Sequence, residues 1–535
     1  MDFEWVAIAL GDVAWISLAF ALGFLVRLVN LPPLVGFLAT GFILNYLGFA
    51  NGEMLQKLAD LGITMLLFTV GLKLNPKVLI RPQVWAVTVL HIGSITALFG
   101  AIIFGLVLLN APLFSDLELK QSLLLAFALS FSSTVFVVKT LETKATMKSL
   151  HGRIAVGILI MQDLAAVIFL AASSGKIPSS WALLLFLLIP MRPAFHYLLQ
   201  KTGHGELMIL YGFVLALGGA ELFELGGVKD DLGALFMGIL ISSHPKSMEM
   251  AKSMLGFKDL FLVGFFLSIG MSGHLSAEVL MIGILLVPFI FVKSALFFSL
   301  MARFKLRART SLLATLNLTN YSEFGLIVVA IGVSKGWMSG EWLAAIAIAV
   351  SLSFIISAPL NDLDESIYHR FKKHWMRFQS PQRLADDILL DTQGATIAIF
   401  GMGRIGTGAY DRMQQLYGDT VIGIDFYTEL IKKHQLSGRK VLRGDPADAD
   451  FWDVINRDHS INTVMLALPN LLSNLAALDQ LRKTSFTGKI AAISRYPDEE
   501  EELRQAGATA VFNVFTEAGT GFADHVEAKN LVNNR

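Results

Sequence analysis

Two parts of this sequence carry residues that could do chemistry, and the first is an acidic residue inside an apolar run. Asp163 lies midway along IAVGILIMQDLAAVIFLAA, where Gln162 is its only polar neighbour. A charge at the centre of a bilayer costs at least about 2.5 kcal/mol, so it is retained mainly where it faces a polar cavity. Burial favours the protonated carboxyl and a nearby cation favours the ionised one, so a proton and a cation would compete for this site. Combined with alternating access, such competition predicts antiport.

Two further ionisable residues lie within apolar runs. Lys293 is in LLVPFIFVKSALFFSL, too deep to reach the interface easily, and Glu323 is in NLTNYSEFGLIVVAIG beside Gly325. For Lys293 an ion pair that joins two helices is the alternative to a role in transport. For Glu323 a structural and a functional role stay equally open.

Polar clusters in two runs predict helices that unwind within the membrane. Ser130, Ser132, Ser133 and Thr134 occur together in SFSSTVFVV, and Thr319, Asn320, Tyr321 and Ser322 form a similar cluster. Broken helices at matching positions in two halves indicate a transporter site near the midplane, where half-helix ends and freed carbonyls hold an ion.

The second part with chemical potential is a glycine-rich turn. The strand-like segment ATIAIF runs into Gly401-Met402-Gly403-Arg404-Ile405-Gly406, and Asp425 follows 19 positions after Gly406. This context is typical of a loop that binds a phosphate at a helix N-terminus, with the acidic residue accepting hydrogen bonds from ribose. The pattern predicts an adenine nucleotide, AMP or NAD(H); a Rossmann fold that binds nothing is the alternative. The predicted contacts are Gly401, Gly403, Arg404, Ile405, Gly406, Asp425, Phe426, Gly444 and Asp445.

Composition assigns the two parts to different solvents. The chain has 535 residues, 54% of them hydrophobic, and a mean hydropathy of +0.61. Of its 86 charged residues, 44 follow position 360, about 25% of that region against 12% before it. The net charge of zero argues against a nucleic-acid partner, and the absence of cysteine excludes disulfides and thiol catalysis.

Apolar segments of about 20 residues predict about thirteen transmembrane helices between positions 6 and 360. The fifth is expected at 121–138, the seventh at 180–200, the eleventh at 278–302 and the twelfth at 310–334. Odd-numbered loops and helix ends hold 16 Lys and Arg against 5 in the even-numbered ones. The positive-inside rule then predicts a multi-pass protein of the cell inner membrane with its N-terminus outside and its C-terminal domain cytoplasmic.

Short strands alternate with amphipathic helices after a polar linker, which predicts a parallel doubly wound sheet. The expected division is a transmembrane domain at 1–360, a linker at 361–392, a Rossmann-like domain at 393–520 and a tail at 521–535. The predicted fold class is thus a polytopic α-helical membrane domain, with inverted repeats and crossed broken helices, plus an α/β Rossmann-like cytoplasmic domain.

The motifs SFSSTVFVV, MQDLAAV, LGALFMGILIS and FFLSIGMS, with a lysine in the eleventh segment, resemble the Kef-type branch of the monovalent cation/proton antiporters. The resemblance covers essentially the whole chain. It implies a homodimer in which a dimerisation part flanks a moving core with elevator-like alternating access. The cytoplasmic part resembles the potassium-transport nucleotide-binding domain, or RCK fold, in GRKVLRGDPAD, GKIAAISRYPD and LRQAGATAVFNVF.

This resemblance implies roles for the intramembrane residues. Asp163 would bind the proton and the metal cation, K⁺ or Na⁺, and Gln162 would stand where sodium-type members have a second acidic residue. Further oxygens would come from Ser132, Ser133 and Thr134, while Lys293 and Glu323 would lie on core helices that face the site. The Gln-Asp pair suggests potassium, with one cation exchanged for one proton.

One segment departs from the family pattern. Glutathione-gated members carry an acidic loop between the ninth and tenth segments, whereas SSHPKSMEMAKSMLGFKD is net basic here. The expected regulator besides the nucleotide is therefore an unidentified cytosolic ligand or ancillary protein.

Three other functions were weighed against potassium/proton antiport. Sodium/proton antiport fits the same residues. An RCK-gated potassium channel would need a filter such as T-V-G-Y-G, which the membrane part does not contain. A membrane-tethered NAD dehydrogenase would need a substrate domain, yet about twenty residues follow the sheet, with His525 the lone acid-base candidate. The sequence therefore predicts a transporter and no enzyme.

Overall fold

The computed structural model describes 4–28, 33–49, 53–73, 81–111, 114–115, 117–144, 146–147, 149–173, 179–272, 276–382, 384, 394–446, 451–452, 460–483 and 486–528. Its contacts divide the chain into two compact units. The first comprises Met1–Val137 and Ile154–Pro381, and the second comprises Val138–Arg153 and Gln382–Arg535.

The chain up to residue 375 is helical, and its helices are of very unequal length. They are α1 (Glu4–Leu28), α2 (Pro33–Tyr46), α3 (Glu53–Lys73), α4 (Pro82–Leu108), α5 (Leu119–Ser130), α6 (Thr134–Thr143), α7 (Leu150–Ser173), α8 (Arg192–Lys201), α9 (Glu206–Leu225), α10 (Asp230–Ile241), α11 (Ser247–Ser272), α12 (Ala277–Leu286), α13 (Phe289–Arg303), α14 (Ala308–Asn317), α15 (Glu323–Ser334), α16 (Gly340–Asp362) and α17 (Asp364–Trp375). Within the described ranges, seven helical stretches are long and apolar enough to cross a membrane, and shorter apolar helices accompany them. The total of thirteen spans stays a prediction.

Both helices that were predicted to unwind are broken. The fifth predicted segment stops at Ser130 and resumes at Thr134, and the twelfth stops at Asn317 and resumes at Glu323. Ser, Thr and Asn side chains in these stretches offer the backbone alternative hydrogen bonds, which favours unwinding where neighbours complete the pairing.

The seventh predicted segment, 180–200, is not one helix. It forms a 3₁₀ helix at Ser180–Leu188, a turn, and the short helix α8. Pro190 and Pro193 lack backbone N–H groups, so a continuous ladder of hydrogen bonds cannot run through them.

The predicted loop at 242–259 is also mostly helical, because α11 begins at Ser247. Its early residues Met250, Ala251 and Met254 are buried at i, i+1 and i+4. The charged residues that suggested a loop occupy the remaining faces of an amphipathic helix, which is the usual reading of such spacing.

The membrane helices contact one another in two groups. The first group is α1–α3 with α9–α11, and the second comprises α4, α5 and α12–α17, with few contacts joining the groups beyond α11 against α16 and α16 against α2. Glycines bring backbones together in the first group: a Cβ at Gly71 or Gly238 would overlap the other helix, and the same holds for Gly41 and Gly270. Small residues allow such close approach of helices in a membrane.

The second unit contains a parallel sheet whose strand order is β3-β2-β1-β4-β5-β6. Its elements are β1 (Ile397–Phe400), α18 (Arg404–Tyr417), β2 (Val421–Asp425), α19 (Thr428–Leu436), β3 (Val441–Arg443), β4 (Thr463–Leu466), α20 (Leu471–Lys483), β5 (Lys489–Ser494), α21 (Pro497–Gln505), β6 (Ala510–Asn513) and α22 (Val514–Ala528). The order reverses at β1, which creates a crevice at the carboxyl ends of β1 and β4.

The expected domain limits meet these elements only in part. Within the linker expected at 361–392, helix α17 is formed, and residues 383 and 385–393 lie outside the described residues. Helix α22 runs into the expected tail, whose last residues, 529–535, also lie outside the described part of the chain.

Candidate ion site and nucleotide site

The two helix breaks in the membrane part lie against each other. Ser132 Oγ donates to the Leu318 carbonyl at 2.8 Å, and the Ser133 amide donates to Asn320 Oδ1 at 2.7 Å. Each break therefore satisfies backbone groups that the other has freed. Such pairing is required where no water reaches the backbone.

Gln162 braces the first break from the neighbouring helix α7. Its Oε1 accepts from the Ser132 amide at 3.0 Å, and its Nε2 donates to the Ser130 carbonyl at 3.1 Å. The side chain is fully buried. One amide group thus holds both sides of the break, a task that a carboxylate could not perform because it has no donor.

Asp163 lies beside the N-terminus of α6. Thr134, the first residue of α6, places its Oγ1 3.2 and 3.3 Å from the two carboxylate oxygens, and only 2% of Asp163 is exposed. The predicted residues Ser132, Ser133, Thr134, Gln162 and Asp163 therefore form one cluster around this break.

Lys293 joins the two breaks through carbonyl groups. Its fully buried ammonium donates to the Phe131 carbonyl and, at 2.8 Å, to the Asn320 carbonyl, and it lies 5.3 Å from the centre of the Tyr321 ring. Its contacts in the described part of the chain include no carboxylate. The ion pair that the sequence left open for Lys293 is thus replaced by backbone oxygens.

The charges follow the helix dipoles at the crossing. Helices α5 and α14 end where the Lys293 ammonium lies, and α6 and α15 begin where Asp163 and Glu323 lie. Cations are stabilised at helix C-termini and anions at N-termini, each by up to about 2 kcal/mol in partly buried geometries. Four half-helix ends therefore sort one positive and two negative side chains.

Glu323 has spare acceptor capacity. Its Oε2 is 3.4 Å from Ser322 Oγ, and its Oε1 has no hydrogen-bond partner among the described residues, although the residue is only 2% exposed. A Cβ at Gly325 would overlap the Ala128 carbonyl, so this glycine lets α15 approach α5. The site holds Glu323 near the crossing without using both its oxygens.

Sequence reasoning missed residues that support the second break. Ser353 and Ser357, one turn apart on α16, bond to the Tyr321 amide (3.0 Å) and to the Thr319 carbonyl. His91 on α4 stacks on Phe297 and approaches the Lys293 carbonyl at 3.4 Å. A histidine in an apolar run and two serines four apart were the available signals.

The glycine-rich loop of the second unit has the geometry of a phosphate cradle. Gly401 has φ +88°, which favours glycine, and a Cβ at Gly406 would overlap the Gly401 carbonyl. By contrast, a Cβ at Gly403 would meet no described atom within 4 Å. The outer glycines serve the turn and the packing of α18, and the middle one faces open space at a helix N-terminus.

Asp425 holds this loop in place. Its Oδ2 accepts from the Met402 amide at 2.8 Å and its Oδ1 from the Tyr427 amide at 2.9 Å. Each carboxylate oxygen has a second acceptor site. The residue can therefore anchor the loop and still receive a ribose hydroxyl.

The other predicted contacts lie around this loop with different exposure. Arg404 and Ile405 are exposed in the first turn of α18, and Phe426 lies 4.2 Å from Tyr427 between ring centres. Gly444, whose amide donates to the Asp425 carbonyl at 3.0 Å, packs against Ile424 and Phe451, and Asp445 is half-buried next to it. The residues present fit an adenine nucleotide, since they provide a bare helix N-terminus, an acidic acceptor and an exposed guanidinium.

A helical membrane unit with two crossing broken helices, followed by a Rossmann-type domain, defines a membrane transporter of the antiporter class. Residues 16–361 match the family model described as sodium/hydrogen exchanger, transmembrane, and residues 397–514 match the TrkA-N domain. The chain belongs to the sodium/hydrogen exchanger family.

Curated relatives place it near one branch. The glutathione-regulated potassium-efflux system protein KefC of Cronobacter sakazakii is 27% identical over 90% of this chain and 78% of the relative, and KefC of Enterobacter sp. gives the same values. The sodium proton antiporter MjNhaP1 from Methanocaldococcus jannaschii is a solved structure with 14% identity and a TM-score of 0.48, covering 67% of this chain and 98% of that one. The sequence matches confirm the resemblance to the Kef-type branch, whose members are transporters and not enzymes.

Proposed function

We propose that this protein is a potassium/proton antiporter of the cell inner membrane, in which Asp163 alternately carries a proton and K⁺. The observation that carries this proposal is the burial of Asp163 at the N-terminus of α6, with Thr134 against its carboxylate. A desolvated carboxylate must be neutralised, and either a proton or a cation can do this.

The stoichiometry follows from how the neighbours are used. Gln162 is engaged with the backbone through both ends of its amide, and Lys293 is engaged with carbonyls. Asp163 is then the group that changes partner, so one proton leaves for each cation that binds. The exchange is electroneutral.

Potassium is proposed because the KefC relatives are named as potassium-efflux systems. Sodium is the second candidate, favoured by the name of the family model. Either cation would use the Asp163 carboxylate with oxygens of Ser132, Ser133 and Thr134, and Glu323 Oε1 is a further acceptor close to the crossing. We propose the homodimer, the elevator-like motion and the cytoplasmic C-terminal domain on the resemblance to this branch.

Regulation is proposed to act through the second unit. An adenine nucleotide, AMP or NAD(H), would bring anionic phosphates to the amides near Gly403 and ribose hydroxyls to Asp425, with Arg404 contributing a positive charge. The support is the open space at Gly403 beside a helix N-terminus.

Reconstitution tests the exchange. Purified protein in liposomes with an internal pH dye should move protons when K⁺ is added outside, more strongly than with Na⁺. Asp163→Asn should abolish the signal because asparagine neither releases a proton nor bears a charge. Asp362→Asn is the matched control, since it removes an exposed carboxylate at the end of α16.

Residual proton exchange by Asp163→Asn with either cation would contradict the carboxylate mechanism. A stronger response to Na⁺ than to K⁺ in the wild type would replace potassium with sodium and leave the mechanism standing.

A further inference from the structure

A buried histidine lies behind the glycine-rich loop. His434, on α19, is 5% exposed, and its Nε2 is 2.9 Å from the Met402 carbonyl. A carbonyl only accepts, so Nε2 must carry the hydrogen. His434 thereby holds the residue between Gly401 and Gly403.

The other ring nitrogen faces a fixed positive charge. His434 Nδ1 is 3.5 Å from Arg439 Nη1, and a guanidinium only donates. Nδ1 must then present its lone pair. The two contacts together assign the neutral imidazole, with its hydrogen on Nε2.

Arg439 is held in this position by an acidic partner. Its Nε and Nη2 donate to the two oxygens of Asp411 on α18, at 2.6 and 2.8 Å. The hydrogen bond from Arg439 keeps the pKa of Asp411 below its ordinary value. The guanidinium is therefore paired at its far side and cannot turn from His434 without losing a bidentate contact.

The remaining charged and titratable groups around His434 can be named by element. Helix α18 contributes Asp411 and Tyr410, the turn before β3 contributes Arg439 and Lys440, and β2 contributes Asp425 through Met402. On α19 itself, Lys433 is adjacent in sequence and Glu429 lies in the first turn, while β3 ends at Arg443. Arg439 is the group in direct contact with Nδ1.

Met402 is consequently held from both sides. Its amide donates to Asp425 and its carbonyl accepts from His434. A proton added to Nδ1 would set an N–H against the guanidinium, so either the bond to Met402 or the pair of Arg439 with Asp411 has to break. Loss of the Met402 bond frees the loop that faces the phosphate site.

We infer that His434 is a positioning residue for the nucleotide-binding loop, and that its protonation makes nucleotide affinity fall as the cytosol becomes acidic. Histidine is the side chain whose charge changes in the physiological range. An exchanger that moves protons would thus have its regulatory ligand released by the ion it transports. The inference rests on the proposed nucleotide site.

The test measures NADH binding to the full-length protein in lipid nanodiscs by nucleotide fluorescence, from pH 6 to pH 8. NADH is chosen because its pyrophosphate does not titrate in this range, whereas the terminal phosphate of AMP does. The variants are His434→Gln, which keeps a neutral donor for Met402, and His525→Gln, which removes an exposed histidine of α22 as the matched control. Thermal melts at each pH verify folding.

Wild type and His525→Gln should bind NADH about tenfold more weakly at pH 6 than at pH 8, as a one-unit difference between the free and bound pKa of one group requires. His434→Gln should vary less than about twofold over the same range. Arg439→Gln should move the fall in affinity to higher pH, because it removes the charge opposed to imidazolium and leaves Asp411 to favour it. That variant decides the matter if His434→Gln fails to fold.

A pH-independent wild-type affinity, or the same pH profile in wild type and His434→Gln, would overturn the inference while the nucleotide site stands. An unmoved profile in Arg439→Gln would overturn it as well. Absence of NADH and AMP binding at every pH would overturn the proposed nucleotide regulation itself.

Discussion

Gln162 and Asp425 do comparable work in two different solvents. Each is a buried side chain that accepts hydrogen bonds from amides of an irregular loop: Gln162 from Ser132 in the helix break, and Asp425 from Met402 and Tyr427 beside the glycine turn. In the membrane, Gln162 also donates to the Ser130 carbonyl. In the second unit, Gly403 next to the braced residue stays open.

The difference shows how solvent decides what a loop can be used for. In lipid, freed backbone groups cost several kcal/mol unless protein side chains pair with them, so the break is filled by Gln162, Asn320, Ser353 and Ser357. In water, amides at a helix N-terminus can wait for a ligand. Changes at the break should therefore reduce folding and transport together, whereas changes at the glycine loop should reduce binding alone.

The largest expected effect comes from Gln162→Leu. It leaves the Ser132 amide and the Ser130 carbonyl unpaired, at about 1–3 kcal/mol each. We expect a melting temperature several degrees lower in size-exclusion thermal assays and loss of dye-reported exchange. Gln200→Leu, at an exposed glutamine of α8, is the matched control. Wild-type melting and flux in Gln162→Leu would show that the break does not depend on its brace.

An intermediate effect is expected from Asp425→Ala. Hydrogen bonds to a charged group contribute about 1.5–3 kcal/mol, so NADH affinity should fall at least about tenfold. Nucleotide-free exchange in liposomes should match the wild type, because this loop belongs to the second unit. Asp498→Ala removes an exposed carboxylate of the same unit and should leave the affinity unchanged. Equal loss of nucleotide-free exchange in Asp425→Ala would erase the distinction between the two loops.

The smallest effect is expected from Asp411→Asn. Its pKa is lowered in the folded protein mainly by the Arg439 hydrogen bond, so the pair stabilises the fold above the unfolded pKa of about 3.9 and loses this effect as pH falls through the lower folded value. Because 44% of the Asp411 side chain is exposed, screening limits the contribution to at most about 1 kcal/mol. Chemical unfolding should separate wild type and variant at pH 7 and bring them together near pH 3. A constant difference at both pH values would assign the effect to shape rather than charge.

The sequence predicted the positions where ordinary helix rules fail. The clusters at Ser132–Thr134 and Thr319–Ser322 are polar within apolar runs, so the two breaks were visible without coordinates. The strand, the glycine spacing and Asp425 likewise predicted the nucleotide loop. In both cases the signal was local along the chain.

What the sequence left undetermined depends on residues far apart. That Lys293 donates to carbonyls rather than to a carboxylate follows from the convergence of Phe131 and Asn320, 162 and 27 positions away. The link from His434 to Met402 spans 32 positions and leaves no periodic signal. The seventh segment was predicted incorrectly for a local reason, because hydropathy alone does not register Pro190 and Pro193.

The glycine contacts of the first helix group also have a practical consequence for spectroscopy. Where Gly71 meets Gly238 and Gly41 meets Gly270, backbones touch directly, so these helices offer a stiff reference frame for distance measurements. The chain contains no cysteine, so two introduced thiols would be its only labelling sites. One spin label on α10 and another on α13 would report displacement of the ion-binding helices against that frame, without first stripping the protein of native thiols.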